Sequence, residues 1–537
     1  MTGRLTLTWA NKDRALLSHG ESGYEWVERD DPRAREVRLL DEVGRVGDVA
    51  GDASDNLLIR GDSLDALRAL VHAPELAAEY RGKVKLVYID PPFNTGQAFE
   101  HYDDSLEHSV WLGMMRERLV LIKELLSPDG SVWVHLDDAE MAYCKVLMDE
   151  IFGRQNFVAT VVWQKSYTRE NRTAVSTSHD SILVFAPLGQ EWKLVRNSLP
   201  NSEAQLARYV NPDNDPRGPY KPTPMHAKAE KGRRQSQFYT ITTPSGRLVD
   251  PPPGRCWLFT EPRYQEVLAE GRVYFGKNGD GVPTLKKFLN EVQAGLVPNT
   301  WWTHEEVGNT GTGKSEIVAM FSDQVPFSTP KPERLLERVL TIGSNVGDIV
   351  LDCFAGSGTT AAVAHKMGRR WVTVELSENT AGTFTKPRLE KVVAGKDPGG
   401  ITESAGWTGG GGFRDLRIAS RAWQALDSDA GLEVYRAEDA DTATLRRAVA
   451  AQLGYALIEH PVFTGVRGRS RLAVVDGVVD ATAVADIAAA LAEGETALVA
   501  GTSVTDDAQT TLRELNKGSR VLRIPRDLFL RTGAVTR

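Results

Sequence analysis

Along this chain, apolar positions recur with two spacings that alternate segment by segment. NLLIRG (56–61) reads as a strand and DALRALV (65–71) as a helix, while VKLVYID (84–90) is a short apolar run of the kind buried on both faces of a parallel sheet. Residues 104–126 place Trp111, Met115, Leu119, Ile122 and Leu126 at spacings of three and four, which predicts a helix capped by Asp104 or Ser105 and stopped by SPDG (127–130). SVWVHL (131–136), FVATVVW (157–163) and SILVFAP (181–187) follow as strands, with a helix over AEMAYCKVLMDEIF (139–152). Strands alternating with helices predict a mostly parallel sheet covered on both faces.

The rhythm breaks at about Leu188. Up to Pro326 prolines, glycines, basic residues and aromatics dominate, as in NPDNDPRGPYKPTP and DPPPGRCW. The α/β pattern then returns in ERLLERVLTIG, DIVLDCF, TTAAVAHKMG and RRWVTVEL, as though one sheet had been interrupted by an insertion. These breaks divide the chain into an N-terminal extension (1–50), whose one convincing amphipathic stretch is DDPRAREVRLLDE, a first α/β part (51–187), an insertion (188–326) and a second α/β part (327–395). A glycine-rich linker (396–413) containing GWTGGGGF leads to a small C-terminal α/β domain (414–537). At 537 residues the chain is too long for one core.

Composition narrows the function classes. With 41% hydrophobic and 25% charged residues and a mean hydropathy of −0.31, the chain is of ordinary globular character. No stretch approaches a membrane span, and the N-terminus has no apolar run behind a basic start, so a cytoplasmic protein with no membrane partner is expected. Cys144, Cys256 and Cys353 stand far apart, without the spacing of a metal site or a disulfide framework. A net charge of −8 argues against a protein that coats nucleic acid unspecifically. The charge is segregated, however: residues 217–247 hold seven lysines and arginines against the single acid Glu230.

Two motifs carry chemistry. The strand VKLVYID delivers Asp90 to its carboxyl end, where ligands sit in open α/β sheets, and Pro91, Pro92 and Phe93 follow at once. Consecutive prolines fix the backbone, so the Asp90 carboxylate and the Pro91 carbonyl form a rigid pair of acceptors for the two hydrogens of an amine on a base, with Phe93 to stack on it. Read alone, the same residues also fit a strand ending in a proline-rich turn. In the second motif, DIVLDCFAGSGTT, a strand ends at Asp352 and a helix starts after Phe354, Ala355, Gly356, Ser357, Gly358 and Thr359. Glu375 ends the next strand 23 positions after Asp352, close to the offset expected of a carboxylate on ribose hydroxyls. The loop lacks the full GxGxxG spacing for pyrophosphate, which suits a nucleoside cofactor without phosphates.

Together, VYIDPPFNTG, the basic insertion and DCFAGSGTT, in that order, resemble the permuted amino-methyltransferases of DNA, over roughly residues 50–390. FSTPKPERLLERVL and the GGGGF segment extend the likeness to the modification subunits of type III restriction systems. The resemblance implies a Rossmann-like methyltransferase domain holding S-adenosylmethionine, interrupted by a target recognition domain, that methylates N6 of an adenine flipped from double-stranded DNA. N4 of cytosine is the alternative; the acidic form of the motif accompanies adenine as a rule. It further implies catalytic roles for Asp90 to Phe93 and cofactor contacts from Asp352, Phe354 to Thr359 and Glu375. Asp62 would meet the cofactor adenine and Lys331 would border the cofactor, although by residue type they also read as a helix cap and a solvated lysine. Trp163, Lys165 and Tyr167, in VVWQKSYTRENR, would face the flipped base and the DNA, as would Arg217, Lys228, Lys231, Arg233 and Arg234 of the insertion. A homodimer and a restriction subunit are the protein partners it suggests.

GNTGTGKS (308–315) matches the phosphate-binding pattern GxxxxGK[ST], which raises a nucleotide hydrolase as a rival. It follows WWTHEEV, whose polar residues do not suit the buried strand such a loop requires, so a flexible connection out of the insertion is expected instead. A DNA-binding subunit without catalysis is the other rival, and the intact Asp90 motif speaks against it.

Overall fold

The computed structural model describes residues 5–94, 98–99, 102–103, 107–171, 173–201, 203–229, 234–291, 295–322, 325, 327–428 and 431–530. The chain forms two compact units: one runs up to Asn197 and resumes at Asn299, and the other is Ser198–Pro298.

The larger unit is built on a ten-stranded sheet. Its strands are β1 (Leu40–Gly47), β2 (Asn56–Arg60), β3 (Val84–Ile89), β4 (Leu126–Leu136), β5 (Phe157–Gln164), β6 (His179–Phe185), β7 (Trp301–Trp302), β8 (Ile349–Asp352), β9 (Arg370–Glu375) and β10 (Gly412–Ile418). They lie in the order β7-β5-β6-β4-β3-β8-β9-β2-β10-β1. The run from β4 to β10 is parallel throughout; β6 is antiparallel to both its neighbours, and β1 is antiparallel to β10. β3 and β8, separated by the whole insertion, are neighbours with Val87 opposite Leu351, so their carboxyl ends, Asp90 and Asp352, emerge side by side. Helices α1 (Ser63–His72) and α2 (His108–Leu125) pack on the sheet through Leu67, Trp111, Met115 and Ile122, against Leu57, Val87 and Val132.

Several expectations need correction. The first fifty residues are no extension: Ala15–Ser18 pairs with Tyr24–Val27, and β1 extends the main sheet. Only Pro32–Arg35 of the amphipathic stretch is helical. Leu39 instead leads directly into β1, whose residues are half-buried or exposed throughout, as an edge strand allows. SPDG lies inside β4, which begins at Leu126 directly after α2. Asp104 and Ser105 lie outside the described residues; α2 starts at His108 with Glu107 before it and, among the described residues, no side-chain cap.

The glycine-rich segment ends in a strand, not a hinge. Gly412 and Phe413 belong to β10, Phe413 is fully buried, and a Cβ at Gly412 would overlap the Val46 carbonyl oxygen. A boundary at residue 414 thus cuts a strand. Beyond it lie a hairpin (Trp423–Ser428 with Gly431–Arg436) and a five-stranded sheet whose last three strands, Ser470–Val479, Thr496–Val504 and Arg520–Arg523, are parallel.

The second unit is also shorter than the 188–326 expected. Trp192 packs on Trp133, Trp301 and Trp302 pair with β5, and GNTGTGKS opens helix α3 (Thr310–Met320); all belong to the larger unit. Asn309 caps α3 with its side chain, so the glycine-rich stretch is a helix start and not a flexible connection. Ser198–Pro298 has its own core of Met225, Ile241, Val249, Trp257, Tyr264 and Val267, beneath short antiparallel strand pairs. Among the described residues no helix is long and apolar enough to cross a membrane.

Candidate active site

A cavity of about 760 Å³ opens at the carboxyl ends of β2, β3, β8 and β9, large enough for a cofactor with part of a substrate. Parallel strands deliver five acids to its wall: Asp62, Asp90, Asp137, Asp352 and Glu375.

Asp90 stands at the exit of β3. One carboxylate oxygen, Oδ2, is paired with the Lys331 ammonium; the other, Oδ1, is buried and has no hydrogen-bond partner among the described residues. An orphaned acceptor at a cavity wall is costly unless a ligand donor completes it. The backbone that follows is fastened by the Trp111 indole, which donates to the Pro92 carbonyl at 2.8 Å. Phe93 lines the same cavity, with the Lys331 ammonium 5.1 Å from its ring centre.

Across the cavity, the backbone from Asp352 to Thr359 is held from both sides. The Asp352 carboxylate accepts from the Phe354 amide (3.0 Å), and Glu375 accepts from the amides of Gly356 (2.8 Å) and Ser377 (3.0 Å). From behind, the Thr385 hydroxyl donates to the Gly356 carbonyl, and Arg388, itself paired with the buried Glu333, donates to Thr359 Oγ1. Gly356 adopts a φ of 50°, and a Cβ on it would lie 3.3 Å from the Phe327 ring, so glycine meets both demands here. Burial pushes the carboxyls of Asp352 and Glu375 up to about 7. The negative charge of Asp90 adds to the rise at Asp352, and that of Asp352 to the rise at Glu375, against the pull of the backbone amides. Such a site gains from a cationic ligand.

A sequence profile described as DNA methylase matches residues 84–386, a span that contains both motifs and the insertion between them. The chain belongs to the DNA methylase family. The StyLTI Mod subunit of a Salmonella typhimurium type III restriction-modification enzyme is 34% identical, over 70% of this chain and 62% of that protein. The probable HindVI Mod subunit of Haemophilus influenzae is 29% identical, over 75% of this chain and 58% of its own length. The type II methyltransferase M.EcaI of Enterobacter cloacae is 28% identical, over 57% and 64% respectively. The matches thus span about six-tenths of these relatives.

In this family member the remaining residues singled out from the sequence are distributed unevenly. Asp62 lines the cavity, but its carboxylate already caps α1 through the Leu64 amide (2.6 Å) and accepts from Arg118 (2.8 Å) and the Ser18 hydroxyl (2.5 Å). Lys331 lines it too, on the side of Asp90 and Phe93. Trp163 is fully buried with its indole donating to the Gly308 carbonyl (3.0 Å), and Lys165 is paired with Asp180 (2.6 Å); both reach the cavity wall. Tyr167 does not: it is 66% exposed, tilted against His304. In the second unit Arg217 is engaged by Asp215 and by the carbonyls of Glu270 and Gly271, whereas Lys228 and Arg234 are exposed. Lys231 and Arg233 lie outside the described residues.

Sequence reasoning missed Arg118, the turn Gly20–Gly23 with Tyr24, and the trio Tyr88, His135 and Asp180. Only His135 left a signal, as a polar residue inside the otherwise apolar SVWVHL.

Proposed function

We propose that this chain is an S-adenosylmethionine-dependent DNA methyltransferase that modifies N6 of an adenine flipped out of duplex DNA. The observation that carries the reading is the unpartnered Oδ1 of Asp90, at the head of Asp-Pro-Pro-Phe, in one cavity with a glycine loop backed by two acids. The residues fit the cofactor: a nucleoside's ribose hydroxyls suit Glu375, the loop from Phe354 to Thr359 admits a close backbone approach, and Asp352 and Glu375 favour a cation. Bound there, S-adenosylmethionine supplies an activated methyl group on a sulfonium.

The chain's own residues do the rest. Asp90 Oδ1 and the Pro91 carbonyl accept the two amine hydrogens, which favours a pyramidal nitrogen whose lone pair faces the cofactor side. Lys331 holds the other Asp90 oxygen and so fixes the direction of the free one. Phe93 stacks on the base, and the Asp90 carboxylate stands ready for the proton that the nitrogen sheds once methylated. Ser198–Pro298 reads the DNA, with Lys228 and Arg234 among its contacts; Lys231 and Arg233 belong to the same basic stretch. The named relatives, Mod subunits of type III restriction-modification enzymes, support a modification subunit; a restriction subunit as partner, a homodimer and a place in the cytoplasm are part of the same proposal.

Nucleoside mass spectrometry and methylation-sensitive long-read sequencing of DNA from cells expressing the chain test this directly. N6-methyladenine at one recurring sequence is expected, absent with Asp90→Ala. N4-methylcytosine as the main product, which the same pair of acceptors would also serve, overturns the assignment of the base.

A further inference from the structure

β4 carries a histidine through the middle of the sheet, where valine or leucine would pack with no polar demand. His135 is wholly buried, yet every polar atom it has is matched. Its Nδ1 lies 2.7 Å from the Tyr88 hydroxyl on β3, and its Nε2 lies 3.2 Å from Asp180 Oδ2 on β6. Asp180 Oδ1 in turn accepts from the Lys165 ammonium at 2.6 Å. Burial and the charge of Lys331 lower the basicity of His135; burial would raise Asp180, but the bond from His135 and the charges of Lys165 and Lys331 hold it at about 2. Burial favours the neutral imidazole, and since the Asp180 carboxylate can only accept, that form donates from Nε2 to Asp180 and accepts at Nδ1 from Tyr88, so the chain of bonds has one sense and no loose end.

What this chain supports is Phe93. The imidazole and the phenyl ring stack with centroids 5.9 Å apart and planes 19° from parallel, and the Trp163 edge closes on the imidazole at 5.3 Å. Two prolines fix the backbone before Phe93, but they leave its side-chain torsions free; the plane of the ring is set by what it lies against. We propose that His135 is a positioning residue of the base site, holding Phe93 in the plane on which the extruded base stacks while Tyr88, Asp180 and Lys165 hold His135. This rests on the base-flipping reading above.

The test uses the full chain and two duplexes bearing its own site, one with adenine at the target position for the rate and one with 2-aminopurine there for fluorescence. His135→Ala and Asp180→Asn lower kcat by about ten- to a hundredfold, because misorientation of the base costs at the chemical step. Cofactor and duplex affinities change by less than about twofold. The extruded 2-aminopurine, quenched in the wild-type complex by stacking on Phe93, brightens in both variants as it does in Phe93→Ala. His135→Gln, which keeps a donor and an acceptor, recovers part of the rate.

Wild-type kcat and wild-type fluorescence in folded His135→Ala overturn the proposal, as does a loss of rate without brightening. If His135→Ala does not fold, Asp180→Asn decides by the same two readouts. A wild-type chain that methylates no duplex instead defeats the base-flipping reading and this inference with it; wild-type methylation with indifferent variants defeats this inference alone.

Discussion

At the scale of single residues, the cavity is defined by carboxyls kept in conflict with their surroundings. Asp352 and Glu375 are pushed up to about 7 mainly by burial, from ordinary values of 3.8 and 4.5, and Glu316 behind the site is raised to about 7 by burial and by the charge of Glu333. Each binds more protons in the folded state than in the unfolded one. Their contribution to stability is therefore complete below pH 4 and is lost as pH rises through about 7, by at most roughly 4 kcal/mol per group. The ligand-free protein should melt at lower temperature at pH 7.5 than at pH 5.5, and Glu375→Gln should flatten that slope. Cofactor affinity should move the opposite way, strengthening over the same range as ionised acids meet a sulfonium and an ammonium. Calorimetry and melting curves across pH 5 to 8 check both; a wild-type melting temperature that rises through the window, with unchanged affinity, refutes the argument.

At the scale of elements, what was legible in the sequence is what local pattern encodes. The apolar runs of β3 and β8 and the residues at their exits announced Asp90 and Asp352. The link between Tyr88, His135 and Asp180 did not show, because it crosses three strands and depends on β6 inserting antiparallel between β4 and β5. β7, two residues long, has no period to read. GNTGTGKS, expected as a flexible connection, misled for a related reason: its glycines answer to packing within a helix. Gly313 is buried against the Pro330–Lys331 backbone, where a Cβ would overlap the Pro330 carbonyl, while the Thr310 amide donates to the Lys165 carbonyl (3.1 Å). α3 thus fastens the segment carrying Lys331 to the wall carrying Trp163 and Lys165. Gly313→Ala should cost about 1–3 kcal/mol by overpacking and slow methyl transfer by displacing Lys331 from Asp90. Lys314, exposed on α3, is the residue a nucleotide hydrolase would need; Lys314→Ala should leave the melting temperature unchanged. A Gly313→Ala protein of wild-type stability and rate, or ATP turnover abolished by Lys314→Ala, contradicts this account.

At the scale of the whole molecule, the two units predict where recognition can be exchanged without loss of chemistry. The larger unit needs residues on both flanks of the insertion. Trp192 donates to the Asp129 carbonyl (3.3 Å), the Asn197 amide donates to the Ile342 carbonyl (2.9 Å), and Trp302 is fully buried beside Trp133. An exchange of 188–326 with a relative would remove these contacts together with α3, leaving a cavity under β4 and the Lys331 segment without its brace. Ser198–Pro298, by contrast, carries its own core and its own surplus of cations. Lys221 and Lys287 stand directly opposite each other on paired strands, an arrangement that disfavours the free sheet and suits a phosphate between them. A hybrid exchanged at Ser198–Pro298 should therefore melt as the parent does, keep S-adenosylmethionine affinity and methylate the donor's sequence, whereas one exchanged at 188–326 should be insoluble or unfolded. Melting curves and long-read sequencing of methylated DNA distinguish the two. A folded Ser198–Pro298 hybrid that still methylates the parent's sites would show that the bases are read by the larger unit, and would leave the basic insertion as a clamp on the backbone alone.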